Sequence, residues 1–199
     1  NHITQLIRRS LLHSDELRHL HIHEMVRQFA AQKLTLNYEQ LITTHHKHSE
    51  YYINQLSTWW NDTKSKHIVS TLLPHLDNIH SGWEWAFRNQ QLQVLSHAIV
   101  PFTQAHIYAG LLWDIHLRVD SYYQKLQELM AQEPEAANQS ARHEFATALN
   151  FSRAVFQYYL SNYEQAHKLF DETYEQVRQH GYWYLAANIE YHLANFCAL

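Results

Sequence analysis

The chain has little glycine and proline, with 3 of each in 199 residues, where an average protein carries roughly 12% of the two together. This scarcity argues against turn-rich β-sandwiches and barrels, and against glycine loops that hold phosphate. A G-x-x-x-x-G-K-[ST] phosphate loop does not occur, so we expect the chain neither to bind ATP tightly nor to hydrolyse it. With 46% hydrophobic residues, the composition predicts a mostly α, folded protein.

Cysteine, basic charge and long apolar runs are also scarce. Cys197 is the single cysteine and provides neither an internal disulfide nor a cysteine-based zinc site. No apolar run reaches the roughly 18 residues that cross a bilayer, and a net charge of −4 gives no basic surface for nucleic acid. We therefore expect a cytoplasmic protein without membrane or direct nucleic-acid contacts. The start at Asn1 and the end at Leu199, within a helix-like stretch, suggest a piece of a longer protein.

Histidine is abundant: there are 18, against 15 lysines and arginines. Six of them form two groups, His45, His46 and His48 in a helical pattern and His19, His21 and His23 at alternate positions, as on one face of a strand. Neither group has the spacing of a zinc site with ligands from separate elements. The sequence therefore predicts structural or solvated histidines and no metal site, and it nominates no catalytic acid or base. A histidine-rich, metal-dependent enzyme on a helical bundle remains the alternative.

The first 34 residues have a mixed pattern. Helical spacing from Ile3 to Arg8 is followed by two strand-like segments, 10–13 and 17–22, around Ser14, and by an amphipathic helix over 24–34. Helix, hairpin and helix in this order are typical of the C-terminal half of a winged-helix domain, which we assign to residues 1–34.

Residues 35–132 carry helical periodicity only, and we interpret them as a linker and helical bundle. Asn37, with Gln40 three residues later, starts a long helix that ends near residues 61–62. A second helix follows Pro74, a third covers 92–102 with a bend at Pro101, and a fourth covers 112–129 before a break at 132–134.

The C-terminal part, 133–199, repeats itself with a period of 40 residues. The matching positions are Ala146, Leu149, Ala154 and Phe156, which recur as Ala186, Ile189, Ala194 and Phe196. Such a period predicts a tetratricopeptide-like array, with Ala154 and Ala194 allowing close helix approach. We also expect the last helix to leave Leu193, Phe196 and Leu199 uncovered, which would favour self-association.

Four segments carry a resemblance to a known family. Residues 17–34 (LRHLHIHEMVRQFAAQKL) resemble the end of the winged helix in STAND-type signalling ATPases of the NB-ARC group. Residues 48–52 (HSEYY) and 76–86 (LDNIHSGWEWA) resemble the stretches that follow it in bacterial members with tetratricopeptide-like repeats. Residues 160–166 (LSNYEQA) resemble the repeat phrase L-G-x-Y-x-x-A, with Ser161 in place of glycine.

The resemblance implies a non-catalytic regulatory and sensor segment, with a transcriptional regulator as one form that the parent protein can take. In this family an ATPase core with ADP or ATP and Mg precedes the winged helix, and the histidine of its H-[DE] pair contacts the nucleotide phosphate. His23 matches that histidine. The implied partners are the upstream ATPase domain and an inducer, peptide or protein that binds the repeats. Binding on the repeats is coupled to the nucleotide state of the ATPase.

Aromatic residues allow two interpretations, core packing or the lining of a ligand groove. Trp83 and either Trp59 or Trp60 follow apolar helical stripes, so we assign them to packing. Trp113 and residues 182–184 stay open between the two.

Overall fold

The computed structural model describes residues 2–14, 20–62, 68–134 and 137–196, and only the backbone for residues 60–62, 68 and 69. It is mostly helical with one short antiparallel hairpin, which confirms the predicted class. The elements are α1 His2–Arg8, β1 Leu12–Ser14, β2 Leu20–Ile22, α2 Glu24–Thr35, α3 Tyr38–Asp62, α4 Ile68–Leu72, a 3₁₀ turn Leu73–His75, α5 Leu76–Arg88, α6 Leu92–Tyr108, α7 Leu112–Gln132, α8 Gln139–Tyr159, α9 Tyr163–His180 and α10 Trp183–Phe196.

The chain divides into two compact units, Asn1–Lys47 and His48–Leu199, with the division inside α3. The domain boundaries that we predicted at residues 34 and 132 remain predictions. No described helix is long and apolar enough to cross a membrane.

The first unit contains the hairpin. Leu12 pairs with Ile22 and His13 with His21, whose rings stack 5.1 Å apart. The expected strand face of His19, His21 and His23 is wrong for His23, because β2 ends at Ile22 and His23 is the N-cap of α2. Ser14 lies in β1 and not in the turn, while the rest of the predicted turn and His19 fall outside the described residues.

The helices of this unit bury little. α2 has the predicted length, yet Met25 is 67% and Phe29 60% exposed, and no described residue of the unit is buried. Asn37 caps α3 as expected, since its side-chain oxygen accepts a hydrogen bond from the backbone N–H of Gln40 at 3.1 Å. The described part of this unit therefore has regular secondary structure but no hydrophobic core of its own.

The second unit holds the core. Helix α8 packs against α6, α7, α9 and α10, and its apolar side is closed by fully buried rings at Phe145, Phe151 and Phe156. Trp83 is also fully buried and stacks on Phe102 with centroids 3.8 Å apart, which confirms its assignment to packing. Helices α3 and α5 approach closely at Gly82, where a Cβ would lie 3.1 Å from the backbone of Ser49.

Left-handed residues end several helices of this unit. Gln90, Gly110, Ser161 and Gly181 have φ between 53° and 78° and lie in the turns after α5, α6, α8 and α9. A residue in this conformation ends a helix and redirects the chain, and the two helices on either side of each of these turns pack against each other. Ser161 adopts it without being glycine, at some energetic cost.

The 40-residue pattern is preserved only in part. Leu149 and Ile189 are both fully buried, but Ala154 is buried while Ala194 is exposed. Ala194 therefore does not mediate a close helix approach, because α10 packs on α8 and α9 with its other side.

The expectation that the last helix is uncovered is also wrong for the residues described. Leu193 and Phe196 are half-buried. The ring of Phe196 lies 5.3 Å from that of Tyr158 and 6.1 Å from that of Phe170. Leu199 lies outside the described residues.

Candidate functional site

A polar cluster joins α6, α8 and α10. We define the Glu144 cluster as Ser96 and His97 of α6, Ser140 and Glu144 of α8, Tyr184 of α10, and Tyr182 just before that helix. Nε2 of His97 lies 3.3 Å from Oε1 of Glu144, and the rings of His97 and Tyr184 meet edge-on with centroids 5.0 Å apart. Three helices distant in sequence thus place their polar side chains together.

Burial differs sharply within the cluster. The Glu144 side chain is 11% exposed, whereas that of His97 is 58% exposed. Ser96 is fully buried, and its hydroxyl donates to the carbonyl of Leu92 at 2.9 Å. The carboxylate is therefore set into the surface, with the imidazole on its solvent side.

The tyrosines of the cluster stay neutral. Burial, and then the Glu144 carboxylate, raise the pKa of Tyr184 far above its ordinary value. The same two causes raise the pKa of Tyr182. The Tyr184 hydroxyl has Ser96 and Glu144 as polar neighbours but makes no hydrogen bond of standard geometry. The Tyr184 oxygen is itself buried, so this hydroxyl belongs to the interior of the cluster and not to its solvent side.

A column of rings continues from Tyr182 of the cluster to the end of α9 and back to α8. The rings of His143 and His180 are 6.2 Å apart and nearly parallel, and His180 stacks on Tyr182 at 5.6 Å. Residues 182–184, left open by the sequence, thus have mixed roles: Tyr182 and Tyr184 are half-buried, while Trp183 is 64% exposed.

A second histidine site lies inside the second unit. Nε2 of His80 on α5 and Nε2 of His106 on α6 are 2.6 Å apart, and Nδ1 of His106 contacts the Phe102 carbonyl at 2.7 Å. Since a carbonyl only accepts, Nδ1 of His106 carries the hydrogen and Nε2 accepts from His80. Burial lowers the pKa of His106 to about 4, and burial followed by Arg118 lowers the pKa of His80. The pair is a neutral link between two helices.

The sequence-predicted site residue, His23, is exposed at the start of α2. Its Nδ1 accepts a hydrogen bond from the backbone N–H of Met25 at 3.3 Å. The neighbouring Glu24 binds Arg27 and Gln28, and these hydrogen bonds lower the pKa of Glu24 to about 2. His23 therefore closes the first turn of α2 with one ring nitrogen and has Nε2 available for another partner.

The other aromatic residues that the sequence analysis considered include both packed and exposed side chains. Trp59 is half-buried and stacks on His75 at 5.0 Å, as packing predicts, whereas the side chain of Trp60 lies outside the description. Trp113 is 68% exposed. Within the described residues, no group of three or more His, Cys, Asp or Glu side chains is arranged to hold a metal ion.

Sequence reasoning missed Glu144, His97 and the His80–His106 pair. Glu144 directly precedes a buried apolar stripe of α8, and that position is the only sequence signal that could have drawn attention to it. The partners are 47 and 26 residues apart in the chain, so no local pattern connects them.

Comparison with protein-family models, with curated proteins and with solved structures finds no match to this chain.

Proposed function

We propose that this chain is a non-catalytic regulatory and sensor segment of a STAND-type signalling ATPase. In this proposal the first unit contacts the upstream ATPase domain and the second unit offers the ligand surface. The single observation that supports it most comes from the first unit. Its exposed apolar side chains and His23, a histidine with a free ring nitrogen, lie near each other in the sequence.

The apolar surface supports a partner domain. Five apolar side chains of this unit are between 40% and 67% exposed, and none of its described residues is buried: Ile3, Leu20, Ile22, Met25 and Phe29. Apolar side chains exposed in such number mark a surface that another protein surface covers. The ATPase domain of the same protein is the partner that the family resemblance implies.

His23 supports a nucleotide contact through one ring nitrogen. Because Nδ1 accepts from Met25, the neutral ring carries its hydrogen on Nε2, and this N–H can donate to a phosphate oxygen beside the N-terminus of α2. Protonation of the ring is not needed for that bond, and it would break the N-cap. A hydrogen bond to a charged group contributes about 1.5–3 kcal/mol, which corresponds to roughly a 10- to 150-fold change in ADP retention.

The test uses the intact protein that contains this chain. We expect His23→Ala to release bound ADP about tenfold faster or more, measured as the dissociation rate of a fluorescent ADP analogue, and to shift the population toward the open, signalling form.

His23→Asn is the matched control, because asparagine caps a helix well but lacks the reach of Nε2. It should retain the thermal stability of the wild type and still lose ADP. If His23→Asn retains ADP like the wild type, the histidine only caps α2 and the proposed nucleotide contact is wrong.

The alternative of a histidine-rich, metal-dependent enzyme gains no support from the described residues, where no three-ligand group exists. Zinc titration followed by calorimetry tests it directly, since a metalloenzyme should bind the metal stoichiometrically.

A further inference from the structure

The Glu144 carboxylate has an unusual partner for its degree of burial. Among the ion-paired acidic side chains of the described residues it is the least exposed, at 11%, whereas the others are 34% or more exposed. In that part of the chain its ion-pair partner is His97, an exposed imidazole, while more exposed acids such as Asp120 and Glu133 pair with arginine. Buried carboxylates are ordinarily paired with a cation, because the loss of hydration is otherwise uncompensated.

The side chains around Glu144 suit a positively charged group that belongs to a ligand. The ring of Tyr184 meets that of His97 edge-on with centroids 5.0 Å apart. Burial, and then the charge of Glu144, raise the pKa of Tyr182. Aromatic faces attract cations through their ring quadrupole, most strongly where water is excluded. The cluster contains no lysine or arginine, so a cation that displaces His97 from Glu144 meets no permanent positive charge among the side chains of the cluster.

His97 occupies the position that a cation would take. Its Nε2 offers one donor to Oε1 of Glu144 from the solvent side, where the side chain is 58% exposed. A compact ammonium group matches a single-donor position better than a planar guanidinium, whose donors form a wide fork.

We propose that the Glu144 cluster binds an alkylammonium group, which replaces His97 as the partner of the carboxylate and is flanked by Tyr182 and Tyr184. Lysine side chains and free polyamines both carry such a group. The proposal rests on the proposed function in so far as the second unit senses a ligand.

The experiment is an NMR titration of the 199-residue chain with three probes. They are Nα-acetyl-lysine N-methylamide, whose side-chain ammonium group is free, spermidine, and Nα-acetyl-norleucine N-methylamide, which lacks the ammonium group. We expect saturable shifts of the His97 and Tyr184 side-chain signals with lysine amide or spermidine and none with norleucine amide. The stronger of the two binders identifies the source of the ammonium group.

Three variants decide the outcome. Glu144→Gln should weaken binding about tenfold or more, because a buried charge pair is lost, whereas Glu128→Gln, the same change at an exposed position of α7, should bind like the wild type. His97→Ala keeps the carboxylate and should bind the ammonium probe more tightly, because the competing imidazole is gone; it also guards against misfolding of the Glu144 variant.

Equal affinity of Glu144→Gln and wild type, or the absence of saturable shifts with either ammonium probe, would overturn the proposal. ADP retention in the His23 variants does not depend on Glu144, so the ligand class and the proposed function can fail separately.

Discussion

Individual histidines of the second unit are held without charge in apolar surroundings. His192 on α10 is 3% exposed, stacks on Phe170 at 5.1 Å, and its Nδ1 has no hydrogen-bond partner. Burial lowers the pKa of His192 to about 4, against about 6.5 in an unfolded chain. His106 has its pKa lowered in the same direction.

The consequence is a fold that weakens in acid. Between pH 6.5 and 4 the unfolded chain binds a proton at this position that the folded chain does not, so the free energy of unfolding falls as the pH falls through this window. We expect His192→Phe to remove this contribution. The difference in free energy of unfolding between the variant and the wild type should therefore be about 2 kcal/mol more in favour of the variant at pH 5 than at pH 7.5.

Urea unfolding at both pH values measures this gain. His45→Gln, at an exposed position of α3, is the control and should leave the pH dependence unchanged. An equal loss of stability on acidification in wild type and His192→Phe would show that His192 is not a source of acid sensitivity.

Helix ends in the second unit are joined by one buried arginine. Arg142 of α8 is 1% exposed and donates to the carbonyls of Leu129 and Glu133, to the side-chain oxygen of Gln90, and to the Glu133 carboxylate at 2.5 Å. The C-terminus of α7, the turn after α5 and the first turns of α8 therefore share a single guanidinium.

Loss of this guanidinium should be costly. We expect Arg142→Met to lower the free energy of unfolding by about 3 kcal/mol, because the carbonyl and carboxylate of Glu133 lose this donor. The Leu129 carbonyl and the Gln90 oxygen each lose one of two donors, and keep the Glu133 N–H and Asn138. The midpoint of urea unfolding reports the change. Arg118→Met removes an exposed pair with Asp114 and should cost less than about 1 kcal/mol; similar losses for the two variants would contradict the role given to Arg142.

At the scale of the whole molecule, the two units differ in burial. The described residues of the first unit include none that is buried, while the second contains a continuous apolar core from Ile53 to Ile189. Local opening free energy follows the number of buried apolar contacts.

Hydrogen exchange should therefore separate the units. We expect amides of α2 to exchange much faster than those of α6 and α8, although all three are regular helices. In the intact protein of the proposed function, the exchange of α2 should slow down, because an ATPase domain covers its apolar side chains. Protection of α2 equal to that of α8 in the isolated chain would contradict this account.

Most helices follow from local sequence. Periods of apolar residues predicted α2, α3, α5 and α7 within a few residues, since 3.6-residue spacing and capping by residues such as Asn37 act over one turn. The start of α6 was predicted correctly, but the helix continues to Tyr108, six residues beyond the predicted end. The short helix α4 was not predicted, because its five residues are too few to show a period.

Which side of a helix becomes buried depends less on the local sequence. The 40-residue repeat correctly related Leu149 to Ile189, yet it treated Ala154 and Ala194 as equivalent, and only the former is buried. Repetition in sequence implies similar helices, whereas burial depends on which neighbours are packed against each copy.

Composition and periodicity by themselves determined the helical class, the hairpin near the N-terminus and the order of most helices. Only the tertiary structure brought His97 to Glu144 and His80 to His106, and only it exposed the apolar side chains of the first unit. The physical reason is range: helix formation depends on contacts a few residues apart, whereas burial and the pairing of polar groups depend on segments that are distant in the chain and meet after folding.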